Sequence, residues 1–101
     1  MPILSVVMPV YNQETYVYAA IDSILNQTFK DFEFIIVNDG STDDTNEILK
    51  TVSDPRVRIL SLPRSGFLKA LEHGVRRGLR VGARSLAGRR RVAHLRSHGV
   101  V

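Results

Sequence analysis

The feature that most constrains the fold of this chain is a regular alternation of short apolar runs with segments that have a helical period. Apolar runs occupy residues 3–8, 32–37 and 57–62, and the segments between them, residues 14–26 and 41–52, carry apolar residues every three or four positions. Short apolar runs of this kind are typical of buried strands. The order strand, helix, strand, helix, strand predicts an α/β unit with a parallel sheet and right-handed crossovers.

The first helix has the clearest pattern, because its apolar residues fall at i, i+3, i+4, i+7 and i+8, on one face of a helix. These residues are Val17, Ala20, Ile21, Ile24 and Leu25. A third helix is predicted by apolar residues at i, i+3, i+7 and i+11, which are Leu68, Leu71, Val75 and Leu79. Gly74 and Gly78 interrupt that helix, and each costs about 1 kcal/mol relative to Ala.

Charge divides the chain into two unlike parts. Residues 1–63 contain nine of the ten Asp and Glu residues, whereas residues 64–101 contain ten of the fourteen Lys and Arg residues. From residue 79 onward the Arg-rich sequence has no acidic residue and no clear period. We therefore predict a folded region over residues 1–78 and a disordered or irregular basic tail over residues 79–101 that is not a domain.

The length and composition exclude several classes of protein. A chain of 101 residues suffices for one small domain, and the absence of cysteine excludes a disulfide framework and thiolate chemistry. The apolar run at residues 3–8 is too short to span a bilayer and follows no basic segment, so neither a membrane span nor a signal peptide is predicted. We expect a cytoplasmic protein.

The second apolar run ends in polar residues, and two explanations are open for them. Asn38 and Asp39 follow Val37 directly, at the carboxyl end of a strand that the pattern predicts to be parallel. In open α/β sheets this end of the strand is where ligands bind. The structural alternative is a turn formed by Asp39 and Gly40.

Helix capping accounts for the acidic residues that come next. Ser41 is a suitable N-cap for the second helix, and Asp44 lies three residues later, close to the pattern of a capping box. Asp43 and Asp44 then lie in the first turn, where each negative charge stabilises the helix by roughly 0.3–1 kcal/mol. Capping does not explain Asn38 and Asp39, because they precede the cap.

Chemistry limits what could bind at such a strand end. Neither the dinucleotide fingerprint G-x-G-x-x-G nor the P-loop is present, and carboxylates would repel a bare phosphate. The site suits a neutral group with N–H or O–H donors, such as a base edge or a sugar hydroxyl, or a metal that bridges to phosphate. At the end of the first strand, Tyr11 and Asn12 could stack on a base and hydrogen-bond its rim, or Tyr11 could pack over the sheet end.

Three segments resemble the family 2 glycosyltransferases of the GT-A fold. They are V-V-M-P-V-Y-N at residues 6–12, S-I-L-N-Q-T-F-K-D-F-E at residues 23–33 and I-V-N-D-G-S-T-D-D-T at residues 36–45. The resemblance covers the N-terminal portion of such an enzyme, over residues 3–62, and continues more weakly to Gly74. It implies a partial Rossmann-like unit that has three parallel strands with alternating helices and binds a nucleotide-diphosphate sugar of the UDP type.

The resemblance also implies which residues hold the nucleoside. They are Pro9, Tyr11, Asn12, Glu14, Asp39, Ser41 and Asp43. The first four would line the base and the ribose, and Asp39 would accept a hydrogen bond from the base. On this view the strand ends in a carboxylate because the N–H group of a base lies there.

The chain departs from the family where the catalytic chemistry would lie. The family's Asp-x-Asp motif, which holds a divalent metal (Mg²⁺ or Mn²⁺) against the diphosphate, is absent, and Glu72 is the only acidic residue after Asp54. We therefore nominate no catalytic residue and no metal ligand, and we expect no cofactor to be retained. A truncated or frame-shifted gene is the simplest account, and we expect the chain to be inactive alone.

Two other interpretations are open. The chain could be a non-catalytic binding module whose basic tail contacts nucleic acid or anionic membrane, although the tail has no aromatic residue for base stacking, or it could be a non-functional gene remnant. His94 and His98 have the i, i+4 spacing of metal ligands, but no acidic residue accompanies them. We also expect self-association through an open edge of the first strand, unless the tail covers that edge.

Overall fold

The computed structural model describes residues 4–82 and 91–94. Its elements are β1 (Leu4–Val10), α1 (Val17–Leu25), β2 (Phe32–Asp39), α2 (Thr45–Lys50), β3 (Val57–Leu62), α3 (Phe67–Gly82) and β4 (Arg91–His94). All strands pair in parallel, in the order β3-β2-β1-β4. The predicted α/β class and its three parallel strands are confirmed, and a fourth strand joins them. None of the described helices is long and apolar enough to span a membrane.

The β2 strand lies at the centre of the core and is buried along its whole length. Its side chains alternate between the two faces of the sheet. Phe34 and Ile36 belong to a cluster with residues of α1 and α2, whereas Ile35 and Val37 pack with a residue of α3. Because helices cover both faces, the middle of this strand, residues 34–37, is an unbroken apolar run, which is why it was recognisable in the sequence.

The boundaries of the elements differ from the prediction at polar residues. β1 extends to Val10 and β2 to Asp39, beyond the ends of the two apolar runs. α2 begins at Thr45, and Asp44 at its N-cap makes no capping hydrogen bond through its side chain. The prediction that Ser41 caps this helix is wrong, because the Ser41 hydroxyl accepts a hydrogen bond from the loop that follows β1.

Residues 79–82 and 91–94 belong to regular elements. β4 pairs in parallel with residues 4–7 of β1, and α3 continues to Gly82. The prediction of a disordered or irregular basic tail over residues 79–101 stays a prediction, because most of those residues lie outside the part of the chain that the structure describes. The pairing also covers much of the β1 edge that was expected to be open. The rest of the tail, His98 included, lies outside the described residues.

The α3 helix packs on the sheet through small residues and, from the predicted apolar face, through Leu71. Ala70, Gly74 and Gly78 are buried, whereas Leu68 is 77% exposed. A Cβ atom on Gly74 would lie only 2.3 Å from Cγ1 of Val7. The glycine that looked like an interruption of the helix is therefore what allows the helix to approach the sheet closely.

We predict that Gly74→Ala destabilises the fold. Alanine improves helix propensity by about 1 kcal/mol, but its methyl group would meet Val7 and lie 3.0 Å from Cγ2 of Val37. Overpacking of a core typically costs about 1–3 kcal/mol, so we expect a net loss of about 1 kcal/mol in the free energy of unfolding. Urea denaturation measures the change, and His73→Ala, at an exposed position of the same helix, is the control.

A double variant tests the cause of that loss. Val7→Ala alone removes buried methyl groups and should destabilise the protein, but combined with Gly74→Ala it removes the atom that the new methyl group meets. The two changes should therefore be less than additive. Additive losses would show that Gly74 is needed for some reason other than close approach.

Candidate functional site

The carboxyl ends of β1, β2 and β3 meet at one edge of the sheet. Val10 lies opposite Asn38 in the register of β1 and β2, and Asp39 lies opposite Leu62 in the register of β2 and β3. The three loops that leave these strands are therefore neighbours at the edge. Six of the seven predicted site residues belong to this region, whereas Pro9 is buried inside β1, opposite Val37.

Asn12 connects the loop after β1 to the loop after β2. Its Oδ1 accepts hydrogen bonds from the backbone N–H of Thr42 at 2.7 Å and of Asp43 at 3.3 Å. Its own backbone N–H donates to Oγ of Ser41 at 3.1 Å. The residue has a φ of 50°, a left-handed conformation that Asn adopts more readily than most residues. Asn12 and Ser41, two of the predicted site residues, are therefore neighbours. The contact joins the backbone N–H of Asn12 to the hydroxyl of Ser41.

Asp43 holds the start of α2 against the same loop. Its Oδ1 accepts hydrogen bonds from the hydroxyl of Thr45 at 2.5 Å and from the backbone N–H of Thr45 at 2.9 Å. Its Oδ2 accepts from the backbone N–H of Glu14 at 3.3 Å, while the Glu14 side chain is exposed. The Thr45 hydroxyl in turn accepts from the backbone N–H of Gln13 at 2.9 Å. This network joins the loop after β1 to the first residue of α2.

These contacts shift the acidity of Asp43. Desolvation of the carboxyl group raises its pKa, but hydrogen bonds from the hydroxyl and backbone N–H of Thr45 and from the backbone N–H of Glu14 outweigh that effect. The pKa of Asp43 is therefore lower than the usual 3.8. Asp43 is a charged structural acceptor in the described conformation.

Asp39 is the buried carboxylate at this edge, with an exposure of 1%. Its Oδ1 accepts a hydrogen bond from the backbone N–H of Ser65 at 2.7 Å, and its Oδ2 accepts from the backbone N–H of Gly66 at 2.9 Å. The guanidinium of Arg64 also donates to Oδ2, through Nη1. These donors lie in the loop between β3 and α3, so Asp39 joins the end of β2 to the start of α3.

Arg64 also contacts the ring of Tyr11. The guanidinium carbon lies 3.7 Å from the ring centroid, which is the geometry of a cation–π contact. Tyr11, Asp39 and Arg64 therefore form one contiguous group, which we call the edge triad. It combines an aromatic face with a buried carboxylate and a planar cation, and such a surface can stack on a flat polar ligand and hydrogen-bond its rim.

Sequence reasoning missed Arg64 as a site residue. It follows Pro63 directly after the third predicted strand, so its place at the same sheet edge as Asp39 was a signal that could have found it. Gly40, next to Asp39, supports this arrangement with a φ of 70°. A Cβ atom there would lie 2.5 Å from the backbone nitrogen of Arg64, so glycine is required at this contact.

The part of the chain that the structure describes does not fit a divalent metal. It contains no group of three or more Asp, Glu, His or Cys residues placed to hold an ion. Asp39 and Asp43, the two carboxylates nearest the sheet edge, are each occupied by hydrogen-bond donors. We therefore assign no metal-dependent step to these residues.

The sequence and the fold were compared with known proteins. The pattern described as Glycosyl transferase family 2 matches residues 5–78. Chondroitin synthase from Pasteurella multocida (strain Pm70) is 45% identical over 71 residues, which is 68% of this chain and 7% of that protein. This chain therefore spans a small part of the length of the curated relative.

Solved structures share the fold. A complex of TarS 1-349 from S. aureus with UDP has a TM-score of 0.75 and 25% identity, over 96% of this chain and 27% of that chain. The mannosyltransferase PcManGT from Pyrobaculum calidifontis, solved with GDP-Man and Mn²⁺, has a TM-score of 0.68 and 24% identity, over 75% of this chain and 24% of that chain. The resemblance that the three sequence segments carry is thereby confirmed.

We predict that Asp43 contributes stability that depends on pH. Because its pKa is lowered in the folded chain, the contribution is present above the ordinary value of 3.8 and is lost as the pH falls through the folded value. Asp43→Asn should therefore reduce the free energy of unfolding at pH 7, and its difference from the wild type should shrink toward pH 3. Urea denaturation at a series of pH values measures both effects.

Asp44→Asn is the matched control for this measurement. It removes the adjacent carboxylate, whose side chain makes no capping hydrogen bond to α2. Equal losses for the two variants at pH 7 would contradict the structural role of Asp43 and leave only a general effect of negative charge near the helix N-terminus.

Proposed function

The chain belongs to glycosyltransferase family 2, and from that premise we propose that it binds the nucleotide of a sugar-nucleotide donor. The base would lie at the carboxyl edge of the sheet, against Tyr11 and Asp39 of the edge triad. The observation that carries the proposal is that an aromatic face, Tyr11, and a buried carboxylate, Asp39, are brought to one place by a shared contact with Arg64. The UDP complex of the TarS neighbour supports it.

A base that presents an N–H group suits this carboxylate, and the UDP complex of the TarS neighbour favours uridine among such bases. A carboxylate accepts hydrogen bonds and donates none, so it suits a base that presents an N–H group. Uracil presents a ring N–H between two carbonyl groups, and stacking on an aromatic side chain is open to every base. We therefore propose uridine diphosphate as the nucleotide, with Asp39 as the acceptor of the base N–H and Tyr11 as the stacking surface.

The other predicted residues would act mainly by shaping the loops. Asn12, Ser41 and Asp43 hold the loops after β1 and β2 together, and Glu14 contributes its backbone N–H to the same network. A loop ordered by its own hydrogen bonds loses less entropy when a ligand binds. We propose that these residues position Tyr11 for the base, while Pro9 supports the end of β1 from within the sheet.

Glycosyl transfer is proposed for an enzyme that combines these residues with further elements, because this chain spans only 27% of the TarS chain it matches. In such an enzyme a divalent metal would stabilise the diphosphate as it leaves. This sequence has no Asp-x-Asp motif, and its only acidic residue after Asp54 is Glu72. We propose that these 101 residues bind a donor nucleotide without transferring its sugar.

The remaining interpretations stay predictions from the sequence. They are a cytoplasmic location, contact of the Arg-rich segment with nucleic acid or anionic membrane, a gene remnant, and self-association. No contact in the described part of the chain favours any of them over nucleotide binding, although β4 covers part of the edge through which self-association was expected.

We predict that Tyr11→Ala weakens the binding of UDP. Base stacking on an aromatic side chain is typically worth about 1–3 kcal/mol, so the loss should lie in that range. Calorimetric titration with UDP and with uridine measures the loss and separates the base from the diphosphate. Tyr18→Ala, which removes a tyrosine that is 62% exposed on α1, is the control and should bind as the wild type does. Equal affinity in Tyr11→Ala would remove the ring from the site.

We also predict that the chain does not turn over nucleotide sugars. With neither an Asp-x-Asp motif nor a nominated base, hydrolysis of UDP-glucose or UDP-N-acetylglucosamine should not exceed the uncatalysed rate in Mg²⁺ or Mn²⁺. Release of UDP, followed by chromatography over hours, is the measurement. Metal-dependent release that Glu72→Gln abolishes would contradict the prediction and identify the missing acid.

A further inference from the structure

Arg64 makes its two contacts with the same groups that the proposed function assigns to the base. Its guanidinium lies 3.7 Å from the centroid of the Tyr11 ring and donates a hydrogen bond to Oδ2 of Asp39. A base and a guanidinium are both planar, and both stack on an aromatic ring at similar distances. A base therefore cannot lie against that ring face while the guanidinium is there.

On Asp39 the competition concerns Oδ2, whereas Oδ1 accepts one described hydrogen bond, from the backbone N–H of Ser65. Its Oδ2 already accepts from Arg64 and from the backbone N–H of Gly66. A carboxylate oxygen has two lone pairs, so this oxygen has no further place for a base N–H. Departure of the guanidinium would free one lone pair and leave the carboxylate held by the backbone N–H groups of Ser65 and Gly66.

The side chain of Arg64 is well placed to leave. It is 51% exposed, whereas the side chain of Asp39 is 2% exposed. The backbone of Arg64 is fixed independently by its close packing against Gly40. The guanidinium can therefore rotate into solvent without moving the loop. Hydrogen bonds to water then replace most of those that the guanidinium loses.

We propose that Arg64 competes with the nucleotide base for the ring of Tyr11 and for Oδ2 of Asp39, and so limits the affinity of this chain for nucleotides. The inference rests on the proposed function, because it concerns the same site. It adds that binding exchanges one planar stacking partner for another. Arg64 therefore lowers the affinity because the base has to displace its guanidinium. It does not contact the bound base from the side.

Calorimetric titration of Arg64→Ala with uridine tests the exchange. The neutral nucleoside is the probe because removing a cation would also change the attraction for the diphosphate of UDP. We expect uridine to bind about threefold to tenfold more tightly than to the wild type, as the loss of an exposed cation–π contact and one hydrogen bond implies. Arg76→Ala, which removes the same charge from an exposed ion pair with Glu72, should bind as the wild type does.

Arg64→Lys separates stacking from charge. It retains the cation but lacks the planar group, so its affinity for uridine should lie between those of the wild type and Arg64→Ala. Thermal unfolding confirms that each variant is folded, which is expected because Asp39 keeps its two backbone donors. Affinity that is equal to or lower than that of the wild type in folded Arg64→Ala would overturn the proposal.

A measurement on the wild type keeps the test independent of the variants. Addition of uridine should move the Arg64 Nε–H signal in ¹⁵N NMR toward the position of a solvent-exposed arginine, with the same Kd as the calorimetry. A signal that does not move while uridine binds would overturn the exchange and leave the proposed function intact. Absence of uridine and UDP binding in the wild type and all variants would overturn both.

Discussion

The arrangement of the sheet edge depends on the buried carboxylate of Asp39. A buried charge is tolerated only when it is paired and hydrogen-bonded, and this one accepts from two backbone N–H groups and one guanidinium. All of these donors lie in the loop that leads into α3, so satisfying the carboxylate fixes where that helix begins. From there α3 crosses the sheet at the close distance that Gly74 allows against Val7. One electrostatic requirement at the end of β2 thus positions a helix that covers one face of the core.

A second hydrogen-bond network positions α2, which covers the other face of the sheet. The side chains of Asn12 and Asp43 accept hydrogen bonds from backbone N–H groups in two different loops. Asp43 also accepts from the hydroxyl of Thr45, which is the first residue of α2. These polar residues do not interrupt the core, because they lie where strands end and backbone donors are left without partners. The residues proposed to surround the nucleotide are therefore also the residues that close the structure at this edge. Substitutions of these residues are therefore expected to change the free energy of unfolding as well as the binding of a ligand.

The sequence predicted the elements that are determined by local pattern. β1 and β2 were recognisable because burial on both faces favours apolar runs in a strand, and burial of one helix face leaves the spacing seen from Val17 to Leu25 in α1. The errors concern interactions between distant segments. Ser41 was assigned to a helix cap because the competing donor, Asn12, lies in another loop, and Gly74 looked unfavourable because its neighbour Val7 is far away in sequence.

The candidate site was predictable to the same extent and for the same reason. Tyr11 and Asp39 were nominated because each lies where an apolar run ends, and the strand ends of a parallel sheet meet at one edge. The sequence position of Arg64 after the third strand could have placed it at this edge, but its pairing with Asp39 could not be predicted, because an exposed arginine there has many possible partners. β4 was missed because pairing with β1 is decided by backbone groups, and composition alone favoured disorder for an Arg-rich segment.

The proposed function separates nucleotide binding from catalysis along the chain. The edge triad draws on the ends of β1 and β2 and on the loop after β3, so it is complete by residue 66, and the proposed recognition of a base needs nothing beyond that point. A metal-dependent transfer would also require carboxylates that are free to bind the metal. Those at the edge are already committed to backbone donors, and using them for a metal would undo the loops that form the site. On the proposed function, transfer chemistry would use acids outside this edge, while the part of the chain described in this structure would supply the surface that binds the nucleotide.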